Sequence, residues 1–290
     1  MGGWRLLGVG LVLAAGWGML VSYQATHVPR YHLDLTPADL HLPYESLTLT
    51  AADGVQLAAW RLIPPSPRGV VFVQHGYGTC RADPLHLAAL IYRGGYAVVS
   101  VDFRGHGESG GRCSFGQGER LDLRAALDAI AADPRLQYLP VGYFGISMGA
   151  AIGILMTAEE PRLRAIVSDS SYARFGPMVS RYQWLAYYLP EVPFGWITRA
   201  CVSLRLGAWD RSLDPVHAIG KIAPRAVLII HGDADASIPV RHARELYAAA
   251  RDPKELWVIP GAAHVSGLYH AETEYAQRVL GFFARNLGAA

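Results

Sequence analysis

A serine flanked by glycines is the feature of this chain whose spacing points first to chemistry. The pattern Gly-x-Ser-x-Gly occurs twice, as Gly107-Glu108-Ser109-Gly110-Gly111 and as Gly145-Ile146-Ser147-Met148-Gly149. A serine hydroxyl attacks a carbonyl only when a base takes its proton and a third group orients that base. The bare pattern is weak, so context separates the two copies. Ser109 follows the polar loop Arg104-Gly105-His106, with no strand entering and no helix leaving, and reads as a Gly-rich turn. Ser147 lies between the apolar runs Val141 to Phe144 and Ala150 to Leu155. That is the strand, sharp turn and helix that hold a serine in a strained, accessible conformation, with small neighbours at Gly145 and Gly149. The helix that follows favours developing negative charge at its N-terminus, where the Met148 amide is a candidate donor.

The partners of Ser147 must lie beyond strand ends on the same sheet edge. After the apolar run Ala226 to Ile230 comes His231-Gly232-Asp233-Ala234-Asp235-Ala236-Ser237-Ile238-Pro239, and after Glu255 to Ile259 comes Pro260-Gly261-Ala262-Ala263-His264. Serine, acid and histidine then follow in that order along the chain, and all three sit at carboxyl ends of strands, where doubly wound sheets place their ligands. Of the eleven histidines, His264 alone sits in a small-residue turn after the last strand. His75 and His106 lie in loops nearby, where hydrogen bonding to backbone is the expected role.

The elements that must position these groups are legible as alternating short β-branched runs and amphipathic stretches, the pattern of a mainly parallel sheet flanked by helices. Ser46 to Thr50 and Leu57 to Leu62 form an opening hairpin around Asp53-Gly54. Val70 to Val73, Ala97 to Val101, Val141 to Phe144, Ala165 to Val167, Ala226 to Ile230 and Glu255 to Ile259 complete eight strands. From Ser170 to Ile222 the alternation stops, and Tyr172 to Trp196 holds eight aromatics in twenty-five positions. This stretch reads as a lid over the sheet's end, with Trp184, Tyr187, Tyr188 and Trp196 as candidate substrate-binding residues.

These motifs together resemble the α/β-hydrolase superfamily, and most nearly its membrane-anchored, serine-aminopeptidase-like and bem46-like branch. The likeness covers residues 44–288 and rests on His75-Gly76-Tyr77-Gly78, Asp102 to Ser109, Gly145 to Gly149, Gly232 to Pro239 and Gly261 to His264. It implies an eight-stranded α/β-hydrolase fold and a Ser147, Asp235, His264 triad, with Asp233 as the physical rival for the acid and Asp169 as a third option. It also assigns the second oxyanion donor to the Tyr77 amide, where lipases of the His-Gly-Gly-Gly form carry a glycine. The implied activity is hydrolysis of an ester, thioester or amide of a small-molecule acyl substrate, without metal or organic cofactor. Acyl transfer, peptide cleavage and a non-catalytic ligand-binding member of the fold are the alternatives.

Composition excludes other classes. With 51% apolar residues in 290, the chain is neither disordered nor too short for a large core. Its 26 basic and 24 acidic side chains leave a net charge of +2, and both extra charges, Arg5 and Arg30, fall in the first thirty residues, so no nucleic-acid partner is expected. Cys80, Cys113 and Cys201 read as free thiols, with a Cys80 to Cys113 bridge as the alternative. Leu6 to Tyr23 is uncharged over eighteen positions. Residues 1–28 are therefore expected to hold an uncleaved membrane anchor, against the competing readings of a cleaved signal peptide and a buried helix. Arg5 and the α-amino group against Arg30 then place the catalytic domain outside the cytoplasm.

Overall fold

The computed structural model describes residues 3–208 and 211–288, without the side chains of residues 3–9 and 11. All eight expected strands are present: β1 (Glu45–Thr50), β2 (Gln56–Leu62), β3 (Val70–Gln74), β4 (Ala97–Val101), β5 (Val141–Ile146), β6 (Leu163–Asp169), β7 (Ala226–Gly232) and β8 (Lys254–Ile259). They form one sheet of order β1-β2-β4-β3-β5-β6-β7-β8, antiparallel only where β2 meets β1 and β4. This is the α/β-hydrolase fold. The helices are α1 (Gly3–Thr26), α2 (Leu85–Arg93), α3 (Glu119–Ala132), α4 (Met148–Glu159), α5 (Phe175–Tyr187), α6 (Trp196–Leu206), α7 (Pro215–Ala218), α8 (Arg241–Ala249), α9 (Gly267–His270) and α10 (Glu272–Asn286).

Every residue of β3, β4, β5 and β7 is buried, because separate apolar clusters cover the two faces of the sheet. That is why these strands read as unbroken apolar runs instead of alternating ones. The register then decides what meets at the carboxyl edge. Gln74 of β3 lies beside Gly145 of β5, Ile146 beside Asp169 of β6, Asp169 beside Ile230 of β7, and Gly232 beside Ile259 of β8. The segments leaving these strands, with Tyr77, Ser147, Asp235 and His264, therefore emerge along one rim. The chain's order reverses about β3, and that reversal makes the crevice in which such sheets bind ligands.

At the N-terminal segment the expectation finds no support. Among the described residues no helix is long and apolar enough to cross a membrane, and part of Leu6 to Tyr23 lies outside the described side chains, so the anchor is not supported. The second half of α1 packs against α6: Ala14 and Val21 are buried, and Trp17 meets Tyr187 edge to face at 5.0 Å. An apolar helix satisfies lipid and protein partners equally well by composition, and here a protein partner is present. The cysteines are free, with Cys80 and Cys113 buried.

Candidate active site

The turn between β5 and α4 holds Ser147 at φ 51° and ψ −117°, a conformation that L-residues rarely adopt and that persists only where surroundings enforce it. The enforcement is visible on both sides. A Cβ on Gly145 would lie 2.5 Å from the Gly149 carbonyl carbon, and one on Gly149 would lie 2.4 Å from the His75 carbonyl oxygen. The Ser147 amide donates to the Asp169 carbonyl at 2.8 Å, and the Tyr143 hydroxyl donates to the Gly149 carbonyl at 2.7 Å. Met148 begins α4, so its amide has no intrahelical acceptor. The loop leaving β3 presses against the serine, since a Cβ on Gly76 would stand 3.3 Å from Ser147 Cβ. The Tyr77 and Met148 amides thus belong to the two segments that flank Ser147.

His264 is brought to the serine from β8. Its Nε2 lies 3.0 Å from Ser147 Oγ, and its Nδ1 lies 2.6 Å from Asp235 Oδ2. With Asp235 ionised, Nδ1 carries the proton and Nε2 is left to accept one from the hydroxyl. The Asp235 side chain is fully buried, and its Oδ1 accepts from the Ser237 and Ile238 amides at 2.9 and 2.8 Å. Burial opposes its ionisation, yet hydrogen bonds from His231 and His264 hold the carboxyl well below the usual range.

The rival acids are engaged elsewhere. Asp233 Oδ1 accepts from the Gly261 amide at 2.6 Å. Asp169 accepts from the Tyr275 hydroxyl at 2.5 Å and from Ser170 Oγ at 2.8 Å, and its burial pushes the carboxyl upward. Ser170 Oγ also accepts from the Val265 amide at 3.3 Å, so this cluster braces the loop carrying His264.

Two cavities meet at Ser147 and His264. One, of about 420 Å³, is lined by apolar groups, among them Tyr77, Phe115, Met178, Tyr182, Leu185 and Val202. The other, of about 360 Å³, is more polar and reaches Asp83, His86 and Tyr269. None of Trp184, Tyr187, Tyr188 and Trp196 lines either one. Trp184, Tyr188 and Trp196 are 49%, 78% and 59% exposed, and the Tyr187 hydroxyl donates to Gln24 Oε1 at 2.7 Å. Helical geometry is the reason for Trp184: residues 178, 179, 182, 185 and 186 share the face of α5 turned to the cavity, whereas 184 falls on the opposite face, and Tyr188 is the left-handed C-cap at φ 56° that ends the helix.

The other candidates take structural roles. Ser109 Oγ donates to the Asp102 carbonyl at 2.5 Å and accepts from the Ala58 amide at 2.9 Å, so this glycine-flanked serine closes a turn. The Asp102 carboxylate accepts from the Arg81 amide at 2.6 Å and the Glu108 amide at 2.9 Å and pairs with the Arg81 guanidinium, which organises the same loop. His75 bridges backbone, with Nδ1 2.7 Å from the Gly76 carbonyl and Nε2 accepting from the Phe103 amide at 3.0 Å. His106 Nδ1 meets the Arg104 carbonyl at 3.1 Å. His231 and the α1 residues Val21 and Ala25 were not anticipated as site residues. His231 Nε2 lies 2.7 Å from the Ile238 carbonyl and 3.4 Å from Asp235 Oδ2, and its position at the end of β7, four residues before the acid, was the available signal. Among the described residues no group of three or more His, Cys, Asp or Glu could hold a metal ion.

Burial lowers His75 from 6.5 to about 3 and His242 from 6.5 to about 4. Both are neutral in the fold, and the unfolded chain binds their protons first, so stability present above 6.5 is lost as pH falls toward those values. The thermal midpoint is expected to drop steadily between about pH 7 and about pH 4.5. A midpoint that stays level over this range contradicts the neutral burial of both rings.

Comparison with known proteins agrees with this architecture. The family model Hydrolase_4, described as serine aminopeptidase, S33, matches residues 65–215, just over half of the chain. The uncharacterized protein YfhR of Salmonella typhi is 30% identical over 254 residues, covering 81% of this chain and 78% of that protein. The α/β hydrolase domain-containing protein WAV2 of Arabidopsis thaliana is 28% identical, covering 89% and 86%. Among solved structures, the Pyrococcus furiosus esterase Pf2001 superposes with a TM-score of 0.76 at 26% identity, over 90% of this chain and 100% of that one.

Proposed function

Since the chain belongs to the serine aminopeptidase S33 family of α/β hydrolases, we propose that it is a serine hydrolase that cleaves esters of medium-length, apolar acyl groups through an acyl-enzyme. The observation that carries this reading is the chain of contacts from Ser147 through His264 to Asp235, at 3.0 and 2.6 Å, at the mouth of an apolar cavity. Ser147 Oγ attacks the carbonyl carbon while His264 Nε2 takes its proton. Asp235 fixes the ring and stabilises the imidazolium. The Met148 and Tyr77 amides bind the oxyanion of the tetrahedral intermediate. His264 returns the proton to the leaving oxygen, and the same base then activates the water that breaks the acyl-enzyme.

Ester cleavage is favoured over aminopeptidase action by the cavity's chemistry. No carboxylate lines the apolar cavity among the described residues, so an acyl group seated there meets nothing that would receive the ammonium group of a peptide's N-terminus; Asp83 lies in the more polar cavity. The likeness to the Pyrococcus furiosus esterase supports the same choice.

The test is a series of p-nitrophenyl esters of graded acyl length beside aminoacyl anilides. kcat/KM is expected to rise from acetate toward medium chains, each buried methylene adding up to about 0.8 kcal/mol of transition-state binding until the cavity is full. Tyr182→Ala and Leu185→Ala should alter that profile. Trp184→Ala, on the outer face of α5, and Tyr188→Ala, at its exposed C-cap, should leave it in place. Faster turnover of anilides than of any ester would replace the esterase reading with a peptidase one.

A further inference from the structure

Val21 and Ala25 of α1, four residues apart and so on one face of the helix, line the apolar cavity together with Ser147, Met148 and His264. Val21 is buried, and Ala25 is half-buried with only a methyl group at that point of the wall. This part of the helix is tethered to several segments of the domain. Toward the loop after β3, the Tyr77 hydroxyl donates to the Ala25 carbonyl at 3.1 Å, and the Cys113 amide donates to the Thr26 carbonyl at 3.1 Å. Arg30, just beyond the helix, donates to the Gly107 carbonyl at 3.2 Å. Toward the lid, Arg205 Nε donates to Ser22 Oγ at 3.1 Å and its guanidinium lies 5.5 Å from the centre of the Tyr23 ring. Gly18 lets the helices close up, for a Cβ there would stand 2.9 Å from Ile197 Cγ2.

We infer that the second half of α1 is a wall of the acyl site, and that Val21 and Ala25 determine the length of acyl chain it accepts. This rests on the reading of Ser147 as the nucleophile. Met178, Tyr182 and Leu185 of α5 and Val202 of α6 line the same cavity. A chain extending from Ser147 into this cavity meets α1, so the size of the side chain at position 25 sets how far it reaches.

The experiment compares full-length wild type, Ala25→Leu, Val21→Ala and the outer-face control Met19→Ala on butyryl and octanoyl p-nitrophenyl esters. Fluorophosphonate labelling and a thermal melt are run on each protein. Ala25→Leu places three extra carbons in cavity space that a long acyl chain would occupy, a misfit that should lower the octanoyl-to-butyryl ratio of kcat/KM about tenfold. Val21→Ala makes room and should raise that ratio. Met19 is exposed on the other side of α1, and its replacement should leave the ratio at the wild-type value.

Opposite shifts in folded Ala25→Leu and Val21→Ala support the wall. An unchanged ratio in folded, labelled Val21→Ala overturns it, whatever becomes of Ala25→Leu. So does an equal loss on both esters in Ala25→Leu and Val21→Ala, which would mean that α1 only supports the fold. If wild type is neither labelled nor active on esters, it is the reading of Ser147 that falls, and the inference falls with it.

Discussion

Replacing Ser147 with alanine is expected to lower kcat by about 10⁴ to 10⁶ while leaving the fold intact. The size follows from the cooperation of the proposed triad: without Oγ there is no bond to form, and the His264 to Asp235 pair has no proton to relay. The fold survives because the strained turn is built from backbone. The Ser147 amide still donates to the Asp169 carbonyl, and Gly145, Gly149 and Gly76 still admit the close approach. Alanine retains the same Cβ. The second glycine-flanked serine provides the contrast. Ser109→Ala leaves the part-buried Ala58 amide without its acceptor, at a cost of about 1 kcal/mol. It should therefore lower the thermal midpoint and spare kcat. Steady-state kinetics and melting of the two variants check this, and a Ser109→Ala enzyme without turnover alongside an active Ser147→Ala would reverse the assignment.

Asp235→Asn should cost about four decades in kcat. The amide can occupy the same space, but it lacks the charge that stabilises the imidazolium and no longer enforces the tautomer with its proton on Nδ1. The Ser237 and Ile238 amides, which both donate to Oδ1, hold the replaced side chain in position, so the loss is one of electrostatics and not of folding. Asp233→Asn should cost far less, because an amide oxygen still accepts from the Gly261 amide. Measured kcat values in the opposite order would transfer the orienting role to Asp233.

What the sequence made legible was whatever local physics constrains tightly. Strands buried on both faces must be apolar throughout, so β3 through β7 stand out as runs with little ambiguity. A strained serine needs small neighbours, a strand before it and a helix after it, and that context separated Ser147 from Ser109. The acid and base were narrowed by strand ends, which the sheet's register brings to one rim.

The lid was less legible, because aromatic density marks a surface without saying which side of it faces inward. The helical phase of α5 selects Met178, Tyr182 and Leu185 for the cavity and turns Trp184 outward, and that phase depends on how the helix docks. The N-terminal helix was hard to read for a related reason. An apolar helix has no polar face to reveal its orientation, and its tethers to Tyr77, Cys113 and Arg205 join segments far apart in the chain. His231 escaped notice because its role depends on sharing Asp235 with His264, a contact visible only once the loop is folded.

The central claim is that Ser147 is the nucleophile, and mapping a fluorophosphonate adduct by peptide mass spectrometry tests it most directly. The full-length protein treated with the reagent should carry one adduct, on the peptide containing Ser147, and Ser147→Ala should carry none. An adduct on another residue, or an unlabelled wild-type protein that hydrolyses esters all the same, would contradict the account.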